Sequence, residues 1–380
     1  MSTNESSVVA AAQRFATDVI APNAEHWENL GRIPYDAIEQ AADAGLCGLM
    51  VPQDLGGCGL GIHGTAAVAE TLASACMSAA FSLVVHNNLV AHVARYGSKE
   101  QIERALPEMV RGRKIGAFLL TEPNAGSDAQ AITTRAERHD GGWIISGEKA
   151  WVSNGAFADI MSVYVQTDPG SGAKGIASFL IDADTPGVVR EERYQLMRGH
   201  ALGAGSFAFD ACKVTDDMMV LGPGEAFKGA MAGINIARIV VAAMCCGMLG
   251  ESLAQAIAYA GHREAFGQST LDFQGLQWML ADVATDLEAA KLLTDRAIEL
   301  MESGSDVMVA AAHAKKYATR VAFTGIADCM QAMGAAGYSA DYPLARHLAA
   351  AKMAQFIDGT TEIQNVVIGR DLKSRYVSRY

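Results

Sequence analysis

Residues 119–128 read LLTEPNAGSD, a β-type run that ends in a tight turn of small residues. Glycine in such a turn lets the backbone approach a ligand closely, and Thr121 and Ser127 supply hydroxyl and amide groups. The segment alone is typical of a ligand-binding loop and equally of an ordinary polar turn. Both interpretations stay open at this point.

Two changes of pattern divide the chain around this segment. Residues 7 to about 112 have the spacing of helices, residues 115 to about 222 consist of short β-rich runs with glycine turns, and helical spacing returns from about 225. The connections between β runs are too short for helical crossovers, so we expect an antiparallel sheet. The long final helices favour an antiparallel bundle. We predict an α+β multidomain chain with domains 1–114, 115–223 and 224–380.

Local patterns predict individual elements within these parts. Residues 98–101 read SKEQ, a capping box that opens a helix, and Pro107 should kink or interrupt that helix before Met109. Residues 140–142 read DGG before WIIS, which predicts a hairpin turn. Residues 59–64 spell GxGxxG, but no convincing strand precedes them, and we interpret them as a surface turn.

Composition excludes several classes of protein. The chain has 380 residues, 50% of them hydrophobic and 19% charged, so it is not disordered. A net charge of −12 argues against nucleic-acid binding. The longest purely non-polar stretch, residues 239–250, is shorter than the roughly 20 residues that span a bilayer. An anionic small ligand would need a few local arginines, lysines or helix N-termini.

Cysteine usage and the first residues bear on the compartment. Seven cysteines form no CxxC pair, which favours reduced thiols, and the vicinal Cys245 and Cys246 lie in an apolar run typical of buried packing. Residues 1–7 have neither the basic nor the apolar region of a secretory signal. We therefore expect a cytoplasmic protein, without a metal site because the histidines form no metal-ligand cluster.

Two further segments carry aromatic and basic groups. Residues 149–155 read KAWVSNG, in which Trp151 suits stacking on a planar cofactor and equally suits the core of a barrel. Arg263 in the REAFGQ segment could clamp a phosphate, and Phe266 could cover a ring. Each segment alone is weak evidence for a cofactor site.

The last segment, residues 354–364, reads AQFIDGTTEIQ. We expect one helix to end at Gly359 and another to begin with Thr360 as its N-cap. Such a break directs amide groups at whatever lies there and presents Asp358 at an exposed tip. A catalytic acid and an ordinary helix-end acid both fit this segment alone.

Taken together and in order, these segments resemble the acyl-CoA dehydrogenase family. The resemblance begins at residues 51–57, VPQDLGG, includes 331–338, QAMGAAGY, and extends to Arg370. It implies an N-terminal helical domain, a middle antiparallel β-barrel and a C-terminal four-helix bundle, assembled as a homotetramer. It also implies bound FAD, removal of a proton from Cα and a hydride from Cβ of an acyl-CoA, and an electron-transferring flavoprotein as acceptor.

The family motifs assign roles to individual positions. The implied FAD contacts are Phe118, Leu120, Thr121, Ser127, Trp151, Ser153, Arg263, Phe266, Gln274, Gln331, Gly334, Thr360 and Glu362. Of these, Arg263, Phe266 and Gln274 would reach the FAD of a neighbouring subunit. The implied substrate contacts are Ser127, Asn235, Arg238 and Gly359.

The chain departs from the family pattern at the catalytic position. Asp358 stands where most members carry a glutamate base, and Ala237 occupies the place to which some members move that glutamate. Asp358 is then a base with a shorter arm, a sign of different chemistry as in nitroalkane oxidases or desulfinases, or a mark of a partner subunit in a heteromer. As a base, it should have its pKa raised by an apolar pocket. The second glycine of the QxxGG turn is Ala335, and we still expect FAD binding.

The acyl chain preferred by the protein cannot be read from the sequence. Ile357, beside the predicted base, is smaller than the tyrosine of many members. It should leave room for a branched or cyclic acyl group.

Overall fold

The computed structural model describes residues 2–377 of the chain. Residues 2–113 are mainly helical. The α-helices are α1 (Thr3–Phe15), α2 (Ala21–Leu30), α3 (Tyr35–Asp43), α4 (Ile62–Ala75), α5 (Met77–Tyr96) and α6 (Lys99–Val110). The predicted capping box opens α6, since Ser98 Oγ accepts from Gln101 N at 3.2 Å and Gln101 Oε1 accepts from Ser98 N at 3.0 Å. Of the two outcomes expected at Pro107, interruption is wrong, because α6 continues through it with Leu106 and Met109 buried.

The middle part is one curved sheet. Its strands are β1 (Gly116–Leu119), β2 (Arg135–His139), β3 (Gly142–Val152), β4 (Ile160–Gln166), β5 (Ile176–Asp182), β6 (Val188–Arg190), β7 (Gly205–Thr215) and β8 (Met219–Leu221). They pair in the order β6-β7-β3-β2-β4-β5-β8, with β1 also beside β4. The predicted β2–β3 hairpin is present. Inward-facing residues of β1, β2, β3, β4, β5 and β7 share one apolar cluster, as in a barrel.

The prediction of a purely antiparallel sheet needs a correction. Strand β4 pairs in parallel with β1 over Gly116–Leu119 and with β2 at Arg135, whereas the other pairings are antiparallel. Parallel neighbours need a long connection, but it need not be a helix. Here the hairpin of β2 and β3 lies within the connection from β1 to β4.

The C-terminal part is helical. Its helices are α7 (Ala226–His262), α8 (Gln274–Glu302), α9 (Met308–Met333), α10 (Leu344–Ala354) and α11 (Thr361–Val377). A short hairpin of β9 (Glu264–Ala265) and β10 (Gln268–Ser269) joins α7 to α8. Helices α7, α8 and α9 pack together, α10 lies against α7 and α9, and α11 lies against α9. Helix α7 also packs on α4, so the two helical parts share one core.

Helix α7 is the central element of that core. It is long and apolar enough to cross a membrane, but 72% of its most apolar 18-residue stretch is buried inside the structure, as in the core helix of a folded protein. Cys245 and Cys246 are buried in it, as predicted. Among residues 2–377, no group of three His, Cys, Asp or Glu side chains could hold a metal ion. The domain boundaries stay predictions, and residues 1 and 378–380 of the predicted domains lie outside the described residues.

Candidate active site

The break between α10 and α11 carries the predicted acid. Helix α10 ends at Ala354, earlier than the expected end at Gly359, and residues 355–358 form turns. Asp358 and Gly359 both adopt left-handed backbone, with φ of +51° and +91°. Two successive left-handed residues cannot continue a right-handed helix. Thr360 Oγ1 accepts from Ile363 N at 3.4 Å, which confirms the predicted N-cap.

Asp358 is half-buried and its Oδ2 atom lies inside the protein, so the expectation of an exposed tip is wrong. Its Oδ2 is buried and has no hydrogen-bond partner among the described residues. Burial raises the pKa of Asp358 to about 6, and the positive charges of Lys315 and Arg238 oppose that rise. An apolar environment disfavours the charged form of a carboxyl group. The site thus holds an acid that can change its protonation state near neutral pH.

Helix α7 contributes the two residues predicted to bind substrate near this acid. Arg238 Nε donates to the backbone O of Asp358 at 3.1 Å, and its Nη1 donates to Asn235 Oδ1 at 3.0 Å. A Cβ on Gly359 would lie 3.2 Å from Arg238 Nη2 and 3.1 Å from Gln364 Nε2. The structure therefore brings Asn235, Arg238, Asp358 and Gly359 together, and the close packing explains the glycine.

Two buried residues at the break were missed by the sequence reasoning. Lys315 Nζ donates to the backbone O of Gly359 and, at 3.5 Å, to that of Gln355. Gln364 Nε2 donates to Gly359 O at 2.8 Å. The available signal was the position of Lys315 on the buried stripe of α9, between Ala311 and Ala318 at helical spacing.

The loop after β1 is held by a buried ion pair. Glu122 accepts from Thr133 N at 2.7 Å, from Thr134 N at 2.9 Å and from Lys149 Nζ at 2.8 Å. Lys149 also donates to Leu120 O at 3.1 Å. These bonds fix the segment that holds four predicted FAD contacts. Phe118 lies in β1, Leu120 and Thr121 follow it, and Ser127 lies in the turn.

Trp151 and Ser153 lie beside that loop. Ala150 N donates to Thr121 O at 2.9 Å, which joins the two segments. Trp151 has a φ of +56°, is 61% exposed and stacks on Tyr194 with ring centroids 4.3 Å apart. The alternative that Trp151 fills the barrel core is therefore wrong. Its ring is free to contact a planar group.

The three residues predicted to reach the FAD of a neighbouring subunit lie far from the break between α10 and α11. Arg263 caps α7, Phe266 stands in the turn of the β9–β10 hairpin, and Gln274 begins α8. Since Arg238 and Arg263 are on one helix with a rise of 1.5 Å per residue, they are about 37 Å apart. Phe266 has a φ of +53° and is 97% exposed. These residues do not join the Asp358 cluster within this chain.

The remaining predicted contacts lie on exposed surfaces next to helix ends. Gln331 is exposed near the end of α9, and Gly334 follows with a φ of +60°. The extra methyl group of Ala335 is also exposed. Glu362 is exposed in the first turn of α11, one residue after half-buried Thr361. Ile357 is half-buried and packs against the large helical core.

This fold and this site define a flavin-dependent oxidoreductase. Residues 2–113, 117–212 and 224–373 match the families described as the acyl-CoA dehydrogenase N-terminal, middle and C-terminal domains. The chain belongs to the acyl-CoA dehydrogenase family, as the resemblance implied. It is thus an FAD-dependent enzyme that acts on CH–CH bonds of acyl-CoA substrates.

Individual relatives are similar over almost their whole length. An acyl-CoA dehydrogenase of Bacillus subtilis (strain 168) is 32% identical over 359 residues, which cover 94% of this chain and 95% of that protein. The structure of butyryl-CoA dehydrogenase from Megasphaera elsdenii has a TM-score of 0.93 at 32% identity and covers 98% of both chains. An FAD complex of PigA has a TM-score of 0.93 at 27% identity and covers 99% of both chains.

The residues of this chain fit FAD. Trp151 offers an exposed aromatic face beside a rigid loop, which suits a flat ring. Thr121, Ser127 and Ser153 supply hydroxyl groups around it, and Arg263 supplies a guanidinium group for a phosphate. The exposed Phe266 would be covered by a ligand or a neighbouring subunit.

Proposed function

We propose that the protein dehydrogenates an acyl-CoA at Cα and Cβ and that Asp358 is the base that removes the Cα proton. The observation that carries this proposal is the carboxyl group itself. Its Oδ2 is buried and has no partner among the described residues, and burial raises the pKa of Asp358 to about 6. General bases work best when their pKa lies near the operating pH. FAD, when bound, supplies the acceptor for the hydride from Cβ.

The residues around Asp358 would orient the thioester. The amide N–H groups of Asp358 and Gly359 donate to no backbone carbonyl among the described residues. They are available to a thioester carbonyl oxygen, and hydrogen bonds there would make the Cα proton more acidic. Arg238 and Asn235 border the same turn and would contact the CoA portion. We infer that Arg238 also fixes the backbone that carries the base.

An aspartate reaches less far than the glutamate of most family members. The missing methylene shortens the arm by about 1.5 Å, and a displacement of that size is costly for proton transfer. The acyl group must therefore lie deeper at Asp358 than it does beside a glutamate. The half-buried Ile357 supports our further proposal that the cavity takes a branched or cyclic acyl group.

The decisive experiment follows the visible flavin spectrum after anaerobic mixing with straight, branched and cyclic acyl-CoAs. We expect bleaching by one class, and Asp358→Asn should slow it by about 10²- to 10⁴-fold. Asp358→Glu tests the arm length, and Asp328→Asn, an exposed acid on α9, is the matched control. An unchanged rate in Asp358→Asn excludes Asp358 as the base.

Other outcomes would select the alternatives. Hydrogen peroxide or sulfite release would indicate an oxidase or a desulfinase, and co-purification of a related chain would indicate a heteromer. A clear preference for short straight acyl groups would refute the branched or cyclic proposal.

We also propose that the protein is a cytoplasmic homotetramer that passes electrons to an electron-transferring flavoprotein. The support for assembly is geometric. Arg263 lies about 37 Å along α7 from Arg238, too far to act on the same part of one cofactor. Phe266, in the hairpin that follows α7, is 97% exposed. In a tetramer they would complete a neighbour's FAD site. Sedimentation of the wild-type protein and of Phe266→Ala tests this.

A further inference from the structure

Lys315 is a buried lysine that no carboxylate pairs with directly. It lies on the inner face of α9 and is 1% exposed. Among the described residues, its Nζ has only two hydrogen-bond partners, the backbone oxygens of Gln355 and Gly359. Burying an ammonium group costs considerable free energy unless it is paired. Two neutral carbonyl groups compensate for only part of that cost.

Holding the backbone alone does not explain the charge. Gln364 Nε2 already donates to Gly359 O at 2.8 Å, and Arg238 Nε already donates to Asp358 O at 3.1 Å. A neutral side chain could supply the remaining hydrogen bond to the turn. What an ammonium group adds is an electrostatic field, and the carboxyl group of Asp358 lies within that field.

We propose that Lys315 is a positioning residue that fixes the left-handed turn of Asp358 and Gly359 and favours the carboxylate form of Asp358. This proposal rests on the proposed role of Asp358 as the base. It goes beyond that role, because it makes the protonation state of Asp358 depend on Lys315, a residue on another helix.

The charged groups around Asp358 and Lys315 determine how the effect of Lys315 on Asp358 should depend on pH. Asp358 faces Lys315 from α9 and Arg238 from α7. Lys315 faces Asp358, Cys245 and Arg238, and also Glu362 from α11. Arg238 keeps its charge throughout the range from pH 5 to 9. Burial lowers the pKa of Lys315 to about 8, so its field should weaken above that pH.

Three substitutions separate the charge from the hydrogen bond. Lys315→Met removes both, Lys315→Gln keeps a donor without the charge, and Lys315→Arg keeps the charge. Lys316→Met, at the next position and half-buried, is the matched control. Visible spectra and circular dichroism report FAD content and folding for each holoenzyme.

The first readout is the rate of anaerobic flavin reduction between pH 5 and 9 with the best acyl-CoA. We expect the acid limb of the wild type near pH 6 to move up by about one pH unit in Lys315→Met and Lys315→Gln, since a nearby cation favours a carboxylate. The rate should fall about tenfold at pH 5, about fivefold at pH 6 and hardly at all at pH 8.5. Lys315→Arg should restore the profile. An equal loss at every pH, or no loss, overturns the proposal.

A second readout needs no substrate. Stability is compared with and without Asp358→Asn between pH 4 and 8, since the two curves diverge where the buried carboxyl group ionises. In the Lys315→Gln background the divergence should begin at the same pH but level off about one pH unit higher, with a final gap larger by about 1.4 kcal/mol. An unchanged upper end overturns the proposal. If no acyl-CoA bleaches the flavin, the proposed function fails, while this second measurement still decides the coupling.

Discussion

The two buried lysines Lys149 and Lys315 solve the same physical problem differently. Both are fully enclosed, and burial lowers the pKa of each to about 8. Lys149 meets the carboxylate of Glu122 at 2.8 Å, whereas Lys315 meets backbone oxygens. The charge of Lys149 is neutralised by its direct partner Glu122, and the pair fixes the loop after β1. Lys315 keeps a field that extends to an acid on the next element, which is what a tuned catalytic group needs.

The largest effect should come from breaking the paired lysine. Lys149→Met leaves the buried Glu122 without its cation, and breaking a buried pair from one side costs about 3–5 kcal/mol. Urea or thermal unfolding of the holoenzyme should show this loss, with Lys213→Met, an exposed lysine on β7, as control. Adding Glu122→Gln to Lys149→Met should recover part of the stability. Equal free energies of unfolding for Lys149→Met and Lys213→Met would contradict the role of Lys149 in a buried ion pair.

The next effect concerns the turn that Lys315 holds. Gly359→Ala forces a side chain into φ +91° and places its Cβ 3.1–3.3 Å from Gln364, Arg238 and Ile363. We expect a loss of about 2 kcal/mol and slower flavin reduction, because the base moves. The control is Gly141→Ala in the β2–β3 hairpin, where φ is +74° and no atom lies within 4 Å. That change should cost about 1 kcal/mol and leave the rate unchanged. Equal costs would show that packing around Gly359 is looser than described.

Features that depend on neighbouring residues were predictable from the sequence. The capping box at Ser98, the hairpin at residues 140–142 and the N-cap Thr360 each depend on neighbours within four residues. The order of helical, β and helical parts followed from periodicity, and Asp358 was found as the candidate acid because motif order placed it there. These features need no knowledge of tertiary contacts.

Features that depend on distant packing were not predictable. The parallel register of β1 on β4 is set by two segments about forty residues apart, and periodicity carries no pairing information. The burial of Asp358 Oδ2 depends on the packing of α7 and α9 against the break, so a residue expected at an exposed tip is half-buried. Lys315 lies in the alanine-rich helix α9, and its burial on the inner face next to the turn depends on the packing of distant helices.

A third prediction uses pH to separate the catalytic acid from a structural one. The pKa of Asp358 is raised from 3.8 to about 6, so the native state binds more protons between these values and loses stability as pH rises through 6. Asp358→Asn should escape that loss. We expect the variant to lie close to the wild type near pH 4 and to exceed it by about 2–3 kcal/mol at pH 7.5. A stability difference that does not vary with pH would refute the buried, unpartnered carboxyl group.

The smallest effect on the free energy of unfolding should follow removal of Lys315, the lysine without a bonded carboxylate. This variant gives the most direct comparison with Lys149→Met. Lys315→Met deletes a buried charge that had no bonded carboxylate, so the free energy of unfolding at pH 7 should change by about 1 kcal/mol or less, far below the loss in Lys149→Met. Because the pKa of Lys315 is lowered to about 8 in the folded protein, the unfolded chain binds more protons between pH 8 and 10, and the wild type should gain stability over Lys315→Met across that interval. Parallel urea titrations of both proteins at pH 7 and 9.5 measure this. A loss at pH 7 as large as that of Lys149→Met would mean that Lys315 is a structural lock like Lys149.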